Sequence, residues 1–107
     1  LPPMRVSTPR DFLDFDAKYR DESTTVNFEP EVSESVRDNV VETADRARRC
    51  LGVTGVSRVD LRVDAHGEPW VLEVNTLPGF TSHSAVPTAA ARVGLGFDDL
   101  CERVVAL

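Results

Sequence analysis

The chain has 107 residues, 41% of them hydrophobic and 28% charged, and carries a formal net charge of −6. That allows one domain with a modest core, and the acidic balance argues against the basic surface that non-specific nucleic-acid binding needs. No apolar run approaches the length of a membrane span, and no signal-like charged-then-apolar segment opens the chain.

In chain order, Met4-Arg5-Val6 is at best a short strand, closed by Ser7-Thr8-Pro9. The opening Leu1-Pro2-Pro3 reads as mid-protein text, so the chain is expected to be a piece of something larger. Asp11 to Tyr19 is mixed, either strand or irregular, and Arg20 to Glu31 is polar and turn-rich, a loop. From Val32 to Leu51 the residues Val36, Val40, Ala44, Ala47 and Leu51 recur at spacings of four and three, which predicts an amphipathic helix stopped by Gly52. Its acidic first turn and its arginines Arg46, Arg48 and Arg49 suit the helix dipole.

A β-hairpin follows: Gly55 to Asp64, a turn at Ala65-His66-Gly67, and a second strand through WVLEVN. Thr76 to Ser84 is a loop, Val86 to Val93 a short helix before Gly94, and Phe97 to Ala106 a final amphipathic helix. Cys50 and Cys101 fit no metal or redox spacing and read as buried or incidental thiols of a reducing compartment.

Side chains alternate along a strand, so Glu73 and Asn75 share a face. A loop of Ala65 to Glu68 sets Asp64 opposite Pro69, Arg62 opposite Val71, Asp60 opposite Glu73 and Arg58 opposite Asn75. One face is then apolar, with Val59, Leu61, Val63, Trp70, Leu72 and Val74. The other carries Arg58, Asp60, Arg62, Glu73 and Asn75. Carboxylates directly opposite one another, with Cβ atoms about 4.5–5.5 Å apart, call for a cation between them. Oxygen donors suit Mg²⁺ or Mn²⁺, and Mg²⁺ with few protein ligands completes its shell from water and phosphate, which implies a nucleotide. A solvated outer face, with Arg58 simply pairing with Asp60, accounts for the same pattern. On the hairpin alone both readings stand.

The loop Asn75-Thr76-Leu77-Pro78-Gly79-Phe80-Thr81-Ser82-His83-Ser84 runs on from the acidic face. Gly79 permits close approach of backbone to a ligand. Ser84 is placed to cap the following helix, whose first amides favour a carboxylate. His83 belongs to no catalytic triad, because sequence neighbours do not converge in that geometry, and it reads as a positioning or surface residue.

The strings RVDLRVD and LEVNTLPGFTSHSAVP, with DFDAKY upstream, resemble the C-terminal part of D-alanine–D-alanine ligases of the ATP-grasp superfamily. The resemblance runs over nearly the whole chain, residues 1–107. It implies an α+β fold, an ATP-grasp C-terminal subdomain fragment with a mainly antiparallel sheet and helices packed on its apolar face. It implies Asp60, Glu73 and Asn75 as ligands of a pair of Mg²⁺ (or Mn²⁺) ions that bridge the ATP phosphates. Arg58 and the Gly79 backbone match groups that stabilise the tetrahedral intermediate. Ser84, with the Ala85 amide, matches the holder of the second D-alanine's carboxylate. Lys18, the chain's only lysine, matches a lysine near the ATP phosphates, and Tyr19 a tyrosine of the substrate pocket. Ala85 stands where a larger aliphatic residue is common, and Asn27-Phe28-Glu29-Pro30-Glu31 where the family usually has Tyr-x-x-Pro-Ala.

The implied activity is a cytoplasmic, ATP-dependent joining of two D-alanines through an acyl phosphate for peptidoglycan synthesis. Its expected partners are ATP, D-alanine and the N-terminal and central parts of the same enzyme, with a homodimer as the candidate assembly of the intact protein. No nucleic acid and no membrane are expected. A ligase for another amino acid or hydroxy acid, and a non-catalytic remnant that binds metal or carboxylate, are the alternatives.

Overall fold

The computed structural model describes residues 1–7, 25–27 and 32–107. Strand β1, Arg5–Ser7, pairs antiparallel with β2, Thr25–Asn27. The strand β2 lies inside the polar stretch expected to be a loop. Its Thr and Val favour an extended backbone, but three residues are too few for a periodic signal. The Asp11–Tyr19 segment, with Lys18 and Tyr19, lies outside the described residues.

Helix α1 spans Glu34–Cys50. It starts two residues later than the apolar spacing suggests because Ser33 is its N-cap, the Ser33 hydroxyl accepting from the Val36 amide at 3.3 Å. Leu51, expected on the helix stripe, is its C-cap and lies exposed. Near the end, Asp45 takes Arg48 and Arg49 at 2.7 Å each. Arg48 also donates through Nη1 to the Val53 carbonyl at 3.1 Å, which ties the helix end to the chain entering the hairpin. The Arg48 hydrogen bond holds the Asp45 carboxyl below its ordinary value.

Strands β3, Arg58–Val63, and β4, Pro69–Asn75, form the second antiparallel sheet, and α1 packs across both. The register at the open end is the expected one: Arg58 opposite Asn75, Asp60 opposite Glu73. At the turn it is not. Val63, not Asp64, faces Pro69, and Arg62 faces Trp70 rather than Val71, with an irregularity beside Leu61 that leaves Leu72 unpaired.

The cause is Asp64. Its Oδ1 accepts from the His66 and Glu68 amides, both at 2.9 Å, and its Oδ2 from the Trp70 indole at 2.9 Å. Asp64 therefore belongs to the turn, as Asx residues often do, and pairing slips by one residue. Gly67, at φ 81°, completes that turn in a conformation that costs glycine little. The bulge at Leu72 absorbs the slip before the strand reaches Glu73.

The faces change accordingly. Trp70 moves to the Arg62 side and is 63% exposed, and Leu72 is equally exposed, whereas Val71 joins Val59, Leu61 and Val63. The indole hydrogen bond, with the backbone amides helping, draws the Asp64 carboxyl below its ordinary value.

Helix α2, Ala85–Arg92, and helix α3, Phe97–Val105, pack on each other. Their contact is the most buried part of the described chain: Val86, Ala90 and Leu100, with Val56, Phe80, Leu95 and Val104 against them. The Phe80 and Phe97 rings stack at 6.1 Å, tilted by 45°. Ala90, fully buried at the crossing, adds little side-chain bulk between the helices. The α+β architecture of antiparallel strands with packed helices is as the sequence implies. The thiols differ: Cys50 is exposed and Cys101 half-buried, both free, because the helix stripes turn elsewhere.

Candidate functional site

The hairpin's open end gathers Arg58, Asp60, Glu73 and Asn75 on one face. Arg58 reaches two residues along its own strand, donating Nε to Asp60 Oδ1 at 2.7 Å and Nη2 to Oδ2 at 3.0 Å. The same Nη2 stands 3.5 Å from Glu73 Oε1. A guanidinium thus sits between the two carboxylates, the pairing that a solvated face also calls for. Among the described residues no three His, Cys, Asp or Glu gather as a ligand cluster; the oxygen set is two carboxylates and one amide.

That set nevertheless fits a hard cation chemically. Glu73 is 55% exposed, so its carboxylate is open to incoming ions. Asn75 Oδ1 accepts from the Leu77 amide at 2.9 Å. This Asx turn fixes the Asn75 amide and bends the chain out of the sheet, while the oxygen keeps a second lone pair.

The turn after it folds back on itself. Ser84 precedes α2, but its side chain does not cap the helix. Its hydroxyl instead accepts from the Thr81 amide at 3.0 Å and pairs with the Thr81 hydroxyl at 2.8 Å. Ser84 holds the expected N-cap position with an extended backbone, but the side-chain cap is corrected: it needs the hydroxyl over the first helical turn, and Thr81 draws it the other way. The first-turn amides of α2 are left to other partners, Pro87 supplying none. The Ala85 amide stands first in that turn.

Gly79 closes the ring. A Cβ there would stand 3.0 Å from Ser84 Oγ, so glycine is favoured here by close approach rather than by backbone angle. His83 is exposed, as expected of a surface residue. The contribution of Thr81 went unread, although its signal, a hydroxyl three residues before Ser84, is present in the sequence. Lys18 and Tyr19 fall outside the described residues.

The family D-ala D-ala ligase C-terminus matches residues 1–106. The chain belongs to this ligase family. Among curated relatives, the D-alanine–D-alanine ligase of Alkalilimnicola ehrlichii is 44% identical over 105 residues, covering 98% of this chain and 34% of the relative. That of Gloeobacter violaceus is 45% identical over 96 residues, covering 90% and 32%. The chain spans about a third of the length of the curated relatives it matches.

Solved ligases agree. The Bacillus anthracis D-alanine–D-alanine ligase complexed with ATP superposes with a TM-score of 0.80 at 31% identity, over 99% of this chain and 34% of that one. The VanG D-Ala:D-Ser ligase of Enterococcus faecalis gives 0.73 at 32% identity, over 97% and 30%.

Proposed function

We propose that this chain is the C-terminal portion of an ATP-dependent ligase that joins two D-alanines for peptidoglycan synthesis. ATP would phosphorylate the carboxyl of the first D-alanine, and the amine of the second would displace phosphate to form the amide. The observation that carries the reading is the placement of the Asp60, Glu73 and Asn75 oxygens on one sheet face, directly before the Gly79–Ser84 turn. Phosphate chemistry and carboxylate binding need those two surfaces side by side.

Asp60, Glu73 and Asn75 would hold a pair of Mg²⁺ or Mn²⁺ ions, which when bound supply positive charge against the ATP phosphates. Arg58, oriented by Asp60, would set its guanidinium charge beside charge developing on the reacting carbonyl. The Gly79 backbone would approach the same oxyanion. The Ser84 hydroxyl and the Ala85 amide would hold the acceptor's carboxylate at the start of α2. Lys18 would serve the phosphates and Tyr19 the substrate pocket. Contacts to adenine and to the first D-alanine would come from the rest of the enzyme, and dependence on ATP argues for the cytoplasm.

The likeness to the D-Ala:D-Ser ligase favours a second reading of the acceptor alone, with D-serine in place of D-alanine. Release of ADP from the intact enzyme, measured with D-alanine alone and with D-alanine plus D-serine, tests both. ADP formed with D-alanine alone, yielding the dipeptide, supports the first reading. No turnover with either acceptor would overturn ligase function.

A further inference from the structure

We infer that Thr81 is a positioning residue that makes the Ser84 hydroxyl a committed hydrogen-bond donor toward the acceptor's carboxylate. The inference rests on the proposed role of Ser84 in holding that carboxylate.

A serine hydroxyl has one proton and two lone pairs. The Thr81 amide, at 3.0 Å, fills one lone pair of Ser84 Oγ. The Thr81 hydroxyl, at 2.8 Å, can donate into the second or accept the Ser84 proton. A carboxylate only accepts, so its arrival selects the first arrangement. Both lone pairs of Ser84 are then occupied by Thr81, and the single Ser84 proton is directed to the ligand.

The rest of Ser84 is held as firmly. Its carbonyl accepts from the Thr88 amide at 3.1 Å and from the Thr88 hydroxyl at 2.7 Å. Gly79 leaves the approach to Oγ open, because any Cβ there would stand 3.0 Å from it. With backbone and one lone pair fixed, the Thr81 hydroxyl is the remaining determinant of which way the Ser84 proton points. Thr81 itself is exposed, so its hydroxyl is not needed to fill the core.

The test uses the intact ligase carrying this segment, with Thr81→Val, Thr81→Ser, Ser84→Ala and the Thr81→Val/Ser84→Ala double variant. Valine keeps the branch and the backbone amide but sets a methyl where the hydroxyl stood 2.8 Å from Ser84 Oγ, so Thr81→Ala, which removes the hydroxyl without that contact, is measured beside it. Losing one neutral hydrogen bond corresponds to roughly a three- to ten-fold rise in the acceptor's KM. The turnover number of Thr81→Val should stay within about twofold of the parent, and Thr81→Ser should restore the parent KM. In the Ser84→Ala background, Thr81→Val should add nothing. Should the valine variant fold poorly by circular dichroism, Thr81→Ala is held to the same expectations.

A raised KM for Ser84→Ala beside an unchanged KM for Thr81→Val would overturn the inference and leave the acceptor site standing. Fully additive effects in the double variant would overturn it too. An unchanged KM for Ser84→Ala would overturn both the acceptor-site reading and the inference built on it.

Discussion

Arg58 holds Asp60 through a two-pronged ion pair, Nε to Oδ1 at 2.7 Å and Nη2 to Oδ2 at 3.0 Å. The planar fork of a guanidinium matches a carboxylate in a way an ammonium cannot. Asp60 therefore fixes the direction of the arginine, and the arginine fixes the carboxylate beside Glu73. A group set in place before substrate arrives can stabilise developing charge without reorganising.

That arrangement separates the roles of Arg58 and Ser84. Arg58→Ala is expected to lower turnover of the intact ligase by roughly 10²–10³, with a smaller change in apparent acceptor affinity. Ser84→Ala is expected to raise the acceptor's KM more than it lowers turnover, because in the proposed role a ground-state carboxylate would already be held there. Steady-state kinetics with the acceptor varied read both effects. An Arg58 variant altered only in KM, or a Ser84 variant altered only in turnover, contradicts the assignment.

Gly79→Ala tests the close approach in the turn. The new methyl would lie 3.0 Å from Ser84 Oγ, so the hydroxyl must give by a few tenths of an ångström and its bonds to Thr81 lengthen. The acceptor's KM should rise, though less than in Ser84→Ala, with thermal stability nearly unchanged because the residue is exposed. A normal KM in a folded Gly79→Ala enzyme would show that the Ser84 hydroxyl is not held in this position.

The hairpin turn carries a pH dependence. The Asp64 carboxyl is lowered from an ordinary value of 3.8, first by the Trp70 indole hydrogen bond and then by the Glu68 and His66 amides. A carboxyl lowered in the folded state contributes stability that is fully present above its unfolded value and is lost as pH falls through the folded one. Trp70→Phe should therefore cost stability at neutral pH, and the gap to the parent should begin to narrow as pH falls below about 4. Denaturant unfolding of both proteins from pH 7 to pH 3 measures it. A gap of constant size would mean that the indole does not favour the ionised carboxylate.

The sequence made some of these elements legible and hid others, for physical reasons. Helix α1 announced itself through Val36, Val40, Ala44 and Ala47, and the open end of the hairpin through alternation of charged and apolar residues. The Asp60–Glu73 pairing survived an error in the turn because two departures cancel: Asp64 leaves the strand and Leu72 bulges out of it. Neither shows in binary patterning, since an Asp can end a strand or begin a turn, and a bulged Leu looks like any strand Leu. The place of Trp70 on the apolar side follows from a register that keeps Asp64 in the strand, yet its indole N–H needs a partner and finds Asp64. The side-chain cap expected of Ser84 fails because a closer partner competes for the hydroxyl. Serine before a helix is usually a cap, and only the fold of the turn reveals Thr81 as the competing partner.

The central claim is that the acidic face of the hairpin serves metal-dependent use of ATP, and Glu73→Gln tests it most directly. Glutamine keeps the shape of this exposed side chain and removes the charge that a divalent cation needs. D-alanine-dependent release of ADP by the intact ligase should be followed across a range of Mg²⁺ concentrations for the parent and the variant. The account predicts a much higher Mg²⁺ requirement, weaker use of ATP and an unchanged melting temperature. An unaltered Mg²⁺ dependence with full activity would contradict it and leave Asp60 and Glu73 as a solvated face paired to Arg58.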